Sequence, residues 1–522
     1  MTGSTLHHPD PAHPLNFSTT KKLLLLVTLS VAAWLANYTA AAHLTAFPQV
    51  AKSLDATIPQ VANAIGIMIL GLGTGPLLWN ALAGSIGRRP TMLFSWFLFF
   101  GCTFWISFSS TYNSFAAARY FAGFAASGSQ TIPATVVSET FLPERRGTAI
   151  AFWALLLLIG PVTAPIVGAA FLTVTTWRWI YYFTIILSGV VGLMIFFFMP
   201  ETLYNPSATA ADAVNGQTTS SIVDRSHHHQ QDLDDKKEWN VDEVRDALPS
   251  PTLAAPTGAH GRIGAAWYPW QQPLRFLGEI IEPLLMARYI VMLVPSIVYA
   301  VVFMWSVGFT VVAPQVLEHP PWHFSGVAVG AAFLAAAVGS VGGKFAGGYF
   351  ADGTVSFFQR RAAAAGGGGA GGGVENGLVG SSSMPLRKPE YRLWATLPQW
   401  PILLVGLLMF GLGFANELSW PAEVIGGFGV FYFANSALGG IIQTYICETY
   451  LAKSVHGIAL FNFVKCCLAF AAPFFIPSWA IGNFKSAYIV QAVVVVVIGY
   501  AMAIALILWG EKIRRWQRMP ML

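Results

Sequence analysis

The stretch Gly75-Pro76-Leu77-Leu78-Trp79-Asn80-Ala81-Leu82-Ala83-Gly84-Ser85-Ile86-Gly87-Arg88-Arg89-Pro90 ends one long apolar run and begins the next. Its basic turn, Gly87 to Pro90, is too short to leave a membrane interface. The runs on either side therefore read as consecutive membrane helices. A bilayer core of about 30 Å needs ~20 apolar residues per helix, and a spanning backbone must satisfy its own hydrogen bonds. Runs of that kind recur at 23–47, 61–86, 91–110, 114–137, 148–172, 177–199, 288–314, 325–351, 394–414, 421–447, 455–478 and 486–510. The expected fold class is all-α, a membrane protein of twelve transmembrane helices in two six-helix halves.

Composition agrees. The 522 residues are 55% hydrophobic and 10% charged, where soluble domains carry about 25% charge. The expected organisation is a tail at 1–22, a first bundle at 23–199, a loop at 200–287, a second bundle at 288–510 and a tail at 511–522. No cleavable signal peptide is apparent, because the first apolar run follows a polar tail and is long enough to span.

Basic residues orient the chain. With the N-terminus cytoplasmic, the inner side holds Lys21, Lys22, Arg88, Arg89, Arg145, Arg146, Arg360, Arg361, Arg387, Lys388, Arg392, Lys453, Lys512, Arg514, Arg515 and Arg518. The outer loops hold Lys52, Arg178 and Lys485. This positive-inside asymmetry puts both termini in the cytoplasm. The net charge of +5 is then topology, and no nucleic-acid partner is implied. Trp177, Trp179, Tyr181 and Tyr182 suit an outer aromatic belt.

The loops carry little chemistry. Residues 200–275 lack helical periodicity and read as largely disordered. His227 to His229 within them are a solvated linker rather than a metal site. Phe276, Ile280, Ile281, Leu284 and Leu285 around Glu279 and Glu282 form an amphipathic lead-in suited to a membrane surface. The Ala/Gly run 362–373 makes 352–392 a flexible tether. Cys102, Cys447, Cys466 and Cys467 all fall in helices, with no disulfide or metal spacing. Gly342-Gly343-Lys344-Phe345 lacks the first glycine and the Ser/Thr of a phosphate loop. Neither enzyme chemistry, cofactor nor metal is expected, so energy must come from a gradient.

Several motifs occur together and in order. Gly75-Pro76-Leu77-Leu78-Trp79 with Gly87-Arg88-Arg89-Pro90 resembles the loop signature of the major facilitator superfamily, in the wording of the fungal drug:proton antiporter branch with twelve spans. Arg119-Tyr120-Phe121-Ala122-Gly123 is similar to that branch's segment-four motif, and Pro143-Glu144-Arg145-Arg146-Gly147 to its loop between helices four and five. Gly160-Pro161, Ala164-Pro165 and Gly168 resemble its helix-five antiporter motif. Trp177-Arg178-Trp179, Pro200-Glu201-Thr202, Tyr445, Glu448, Tyr450, Asn462 and the approach Pro14-Leu15-Asn16-Phe17-Ser18 extend the resemblance over most of the chain. It implies a major facilitator fold. There are departures: the family usually has an acidic residue at the position of Gly84 and a glycine at that of Asn80. The second half keeps its aspartate in Gly348-Tyr349-Phe350-Ala351-Asp352.

Candidate residues fall into three groups. Gly87, Arg88, Arg89, Glu139, Arg145, Arg146, Asp352 and Glu448 form an expected cytoplasmic gate, locked in one state and parted in the other. Gly160, Pro161, Pro165 and Gly168 give helix five missing hydrogen bonds and a small-residue face, the makings of a hinge. Charge at the bilayer centre costs at least ~2.5–3.5 kcal/mol, so Arg119, Glu423 and Lys465 should face a cavity or a partner. Asn37, Tyr38, Gln130, Tyr299, Trp305, Asn435, Gln443 and Asn462 are the expected polar and aromatic cavity wall. Glu423, Glu139 and Glu448 are rival proton carriers.

The expected function is proton-coupled export of a small organic molecule (a drug, secondary metabolite or organic acid) by alternating access. The expected partners are the substrate, protons and membrane lipid, and the protein is expected to be a monomer in the plasma membrane. Two alternatives stay open: an uptake permease for an organic anion, and a nutrient-sensing receptor of the same fold.

Overall fold

The structure, a computed structural model, describes residues 13–205, 262–263, 268–318, 320, 322–366, 388–417, 419–450 and 453–517. The first half holds span one (Thr19–Ala41), span two (Ile58–Ser85), span three (Arg88–Phe108), span four (Tyr112–Ala126 and Gly128–Thr140), span five (Pro143–Leu172) and span six (Arg178–Phe198). The second holds span seven (Ile290–Leu317), span eight (Gly326–Gly366), span nine (Gln399–Ala415), span ten (π-helical Ala422–Val430 running into Phe431–Thr449), span eleven (Ser454–Gly482) and span twelve (Phe484–Trp516). Eleven of these, taking span nine with its preceding 3₁₀ turn Pro389–Thr396, are long and apolar enough to cross a membrane. Span four completes the twelve, broken at Ser127 into helices of 15 and 13 residues.

Local sequence explains the ends. Thr57 and Gln60 close a reciprocal capping box on span two, satisfying two backbone donors that open a helix. Ser18 caps span one and Asn483 span twelve. Gly87 sits at φ +116°, a conformation glycine reaches without Cβ strain. It lets the chain reverse between spans two and three.

Small residues set the packing. Gly71 and Gly75 bring span two onto the backbone of span four, and Gly339, Gly343 and Gly347 bring span eight onto Gly429, Phe433 and Ala437 of span ten. Membrane helices gain no hydrophobic drive from lipid, so close backbone approach supplies the attraction. The same elements join the halves. Gly66 abuts the Phe470 carbonyl and the Pro473 ring, Gly73 meets Cys466, and Gly330 sits on the backbone of Ile166. Gly66 and Gly330 lie near the starts of spans two and eight, at the opposite end from Arg88 and Asp352. Buried apolar residues of both halves form one continuous core. Large apolar side chains also face outward, such as Phe97 and Val338, each 74% exposed. An outer surface of this kind suits lipid.

Two expectations are corrected. Span eight continues to Gly366 instead of ending at 351, and 388–392 begins a 3₁₀ turn, so much of 352–392 is helical; only 367–387 lies outside the described residues. Alanine is the best helix former, and the run 362–365 extends the helix rather than loosening it. Several spans are longer than the apolar runs, because backbone hydrogen bonding continues past the hydrocarbon. The lead-in is a helix, Pro273–Leu285, packed on spans two and eleven, so it bridges the halves. Glu282 pairs there with Lys453, while His456 Nε2 lies 3.5 Å from Glu282 and 3.8 Å from Glu279. Tyr204–Asn205 pairs antiparallel with Arg262–Ile263. His227 to His229 and residues 206–261 lie outside the described residues.

Candidate functional site

A cavity of about 280 Å³ lies between the halves, walled by spans one, two, four and five on one side and seven, eight, ten and eleven on the other. Of the expected wall, Asn37, Gln130, Tyr299, Asn435, Gln443 and Lys465 line it. Gln130 Nε2 donates to Asn37 Oδ1 at 3.1 Å, tying span four to span one. Asn435 Nδ2 donates to Ser306 Oγ at 3.3 Å, tying span ten to span seven. Asn462 stands one step back, accepting from Lys465 Nζ at 2.9 Å.

Four expected residues are elsewhere. Arg119 is fully buried inside the first half. Its guanidinium donates to the Thr39 and Ala40 carbonyls at 2.7 Å each, and to the Ala64 carbonyl and Tyr181 hydroxyl at 3.4 Å. Tyr181 in turn bonds His43 Nδ1 at 3.0 Å. The partner that sequence logic demanded is thus carbonyl oxygen rather than cavity water. Glu423 is also fully buried, its carboxylate has no hydrogen-bond partner among the described residues, and it packs where Gly413 leaves room in span nine. Tyr38 packs against Trp34 and Phe183, and Trp305 against Phe475 and Trp479.

Sequence reading missed several lining residues: Lys344, Ser306, Thr310, Ser340, Ser436 and Tyr432. Tyr432 hydroxyl bonds both Thr310 and the Ser306 carbonyl. Lys344 carried a visible signal, a lysine in the middle of an apolar segment. It was weighed only as part of a failed phosphate loop.

At the end of the bundle beside the basic turn, Arg88 pairs with Glu139 at 2.7 Å, and Thr202 Oγ1 donates to the other Glu139 oxygen at 2.8 Å. The Arg88 and Arg89 backbone N–H groups, at the start of span three, donate to Glu201 at 2.9 and 3.1 Å. A carboxylate is at home on a helix N-terminus, where unpaired N–H groups and the dipole favour negative charge. Glu201 and Thr202 belong to this cluster, and the sequence reading placed them only in a motif. Arg145 and Arg146, expected to face this cluster, make no ion pair with Glu139 or Glu201 among the described residues. The second half has a counterpart. Arg392 holds Glu448 at 2.6 and 2.8 Å and Asp352 at 2.9 Å.

Helix five is continuous from Pro143 to Leu172. A Cβ at Gly160 would come within 2.6 Å of the Trp34 carbonyl and 2.9 Å of Asn37 Cβ, so span one lies directly on it. Gly168 approaches Thr45 and Ala42, Pro161 lines the cavity, and Pro165 lies beside Gly330 of span eight. The four residues expected to form a hinge thus lie where span five meets span one, span eight and the cavity.

Two bundles with a cavity between them and matched arginine–carboxylate clusters at one end have the layout of the expected family. The sequence profile of the Major Facilitator Superfamily matches residues 29–444. The chain belongs to the major facilitator superfamily. It is a membrane transporter by family and fold. MFS-type transporter penM of Penicillium rubens is 25% identical over 453 residues, 86% of this chain and 76% of that one. Quinidine resistance protein 3 of Saccharomyces cerevisiae is 30% identical over 168 residues, 32% of this chain and 24% of that one. The resemblance to fungal drug-resistance transporters is borne out. Matched stretches span from 24% to 76% of the curated relatives' own lengths. The crystal structure of a D-xylose-proton symporter superposes with a TM-score of 0.57 at 13% identity, covering 92% of this chain and 97% of that one. That likeness concerns fold alone.

Proposed function

We propose that this major facilitator protein exports a small organic molecule in exchange for protons, with both termini in the cytoplasm and the plasma membrane as its site. The observation that carries the reading is the cavity walled by both halves. In such folds the halves rock about a midplane site. Here they touch at the end remote from Arg88 through Gly66 and Gly330, and again midway along span two at Gly73. Arg88–Glu139 and Arg392–Glu448 occupy the other end, where parting and re-pairing would accompany each rocking cycle. The helix-five face at Gly160 and Gly168 supplies the sliding contact. Glu139, Glu423 and Glu448 are the carboxylates available for the coupling proton. The name of quinidine resistance protein 3 favours efflux of organic compounds. A permease for organic anions is the second reading, favoured by two lysines on the cavity wall.

Proteoliposomes of known orientation with an imposed pH gradient test the proposal. A panel of organic acids, amphipathic metabolites and cytotoxic drugs is added while internal pH is recorded, with Lys465→Ala as control. Proton movement driven by one compound class and lost in the variant is the expected result. Solute flux without a proton signal would move the assignment to the permease, and silence across the panel would remove export.

A further inference from the structure

We infer that the cavity is a site for a small aromatic anion, its acidic group held between Lys344 of span eight and Lys465 of span eleven. This rests on the transport reading for its purpose, but its chemistry stands on the cavity wall. Lys344 and Lys465 are the charged residues among the described lining, and no carboxylate joins them there. Lys465 Nζ donates to the neutral Asn462 amide oxygen and lies 4.9 Å from the Phe303 ring centre and 5.7 Å from that of Phe461. Lys344 makes no hydrogen bond or ion pair among the described residues, and it lines the cavity.

Cations deep in a membrane protein are costly and are retained for a purpose or a partner. Arg88, Arg392 and Arg514 each have a carboxylate within 3 Å. The two lysines have none among the described residues, and both open on the same cavity. The partner they lack is an anion brought in by the ligand. A cationic ligand would add like charge to this space instead.

The rest of the wall limits the body of that ligand. Tyr299 and Phe461 stack with ring centres 5.3 Å apart at 19°, giving a flat aromatic surface. Phe303 extends it on the Lys465 side. Asn37, Gln130, Asn435, Gln443 and several hydroxyls scatter polar groups over a lining that is mostly apolar. At about 280 Å³, the space lies just below the usual range of small-molecule sites, roughly 300–1,000 Å³. A one- or two-ring acid fits those limits.

The test uses the full chain in nanodiscs and three probes of one shape: 1-naphthoate, 1-naphthamide and 1-naphthylmethylammonium. Binding is read by calorimetry. The naphthoate is expected to bind at least about tenfold more tightly than the amide. Lys344→Gln and Lys465→Gln should each erase most of that preference while leaving amide affinity in place, and Lys465→Arg should keep it. If a glutamine variant misfolds, the arginine variant and the probe ranking on the native chain still decide. Equal or tighter binding of the amide or the ammonium would overturn the inference. So would preference retained in both glutamine variants, or no binding of any probe by folded protein. Naphthoate binding without flux in proteoliposomes would uphold the site and break the transport reading. Flux of the ammonium alone would do the reverse.

Discussion

Arg119 in the first half and Lys465 in the second are both cations set within membrane helices, yet their surroundings are opposite. Arg119 spreads its fork over the Thr39 and Ala40 carbonyls and is sealed from the cavity. Lys465, with Lys344, faces the cavity and has one neutral partner. An intramembrane cation can thus be a brace that closes helix ends together, or a lure for ligand charge. The number of protein oxygens already spent on it tells the two apart.

The largest expected effect tests that contrast. Arg119→Met leaves two buried carbonyls without their donor, at about 1–3 kcal/mol each. Thermal unfolding of the solubilised protein should show a loss of roughly 2–5 kcal/mol. Lys465→Met should stay within about 1 kcal/mol of native and abolish flux instead. Equal losses in stability would erase the distinction.

Helix contact gives the next effect. A Cβ at Gly343 would run into the Phe433 backbone. Gly343→Val is expected to cost about 1–3 kcal/mol through overpacking, read by the same unfolding measurement. An unchanged transition would mean that spans eight and ten do not press together.

The two gate clusters sharpen the comparison further. Arg392 holds two carboxylates, Glu448 and Asp352, although Asp352 is 70% exposed. Arg88 holds Glu139, while its backbone and that of Arg89 hold Glu201. Arg392→Gln should lower the initial transport rate several-fold and Arg88→Gln less, because Glu201 stays anchored on the helix start. Rates in proteoliposomes check the order, and a reversed order would make the first cluster the dominant lock.

The smallest effect concerns the family's missing acid. A Cβ at Gly84 meets nothing within 4 Å. Gly84→Asp should therefore fold as the native chain does, within about 0.5 kcal/mol, and leave transport near normal. A large gain in transport rate would show that the missing acid limits the native chain.

Much of the architecture was legible in the residues. Hydrophobic length gave the spans, since the bilayer imposes one length on every crossing. The motif at Gly87 to Pro90 marked the gate, and Gly160 and Gly168 marked a close helix contact. The wall was half legible: Asn37, Gln130, Tyr299, Asn435, Gln443 and Lys465 reach the cavity, whereas Tyr38, Trp305, Arg119 and Glu423 do not. Polarity in a span says that a residue needs a partner. It does not say whether that partner is a neighbouring backbone or a ligand. The direction is set by which face of each helix the packing turns inward, and twelve helices offer too many pairings for periodicity to choose. Lys344 shows the converse, because a glycine-rich neighbourhood drew attention to the wrong motif.

By itself, then, the sequence determined the membrane class, the two-half organisation and the family, because helix length and short basic turns are local properties. Only the tertiary structure decided that Arg119 is a brace, that Lys344 joins Lys465 on one cavity wall, and that Glu201 and Arg392 complete the charge clusters. Each of those facts depends on residues far apart in the chain meeting in space. Small-residue packing between spans fixes those meetings, and no single span encodes them.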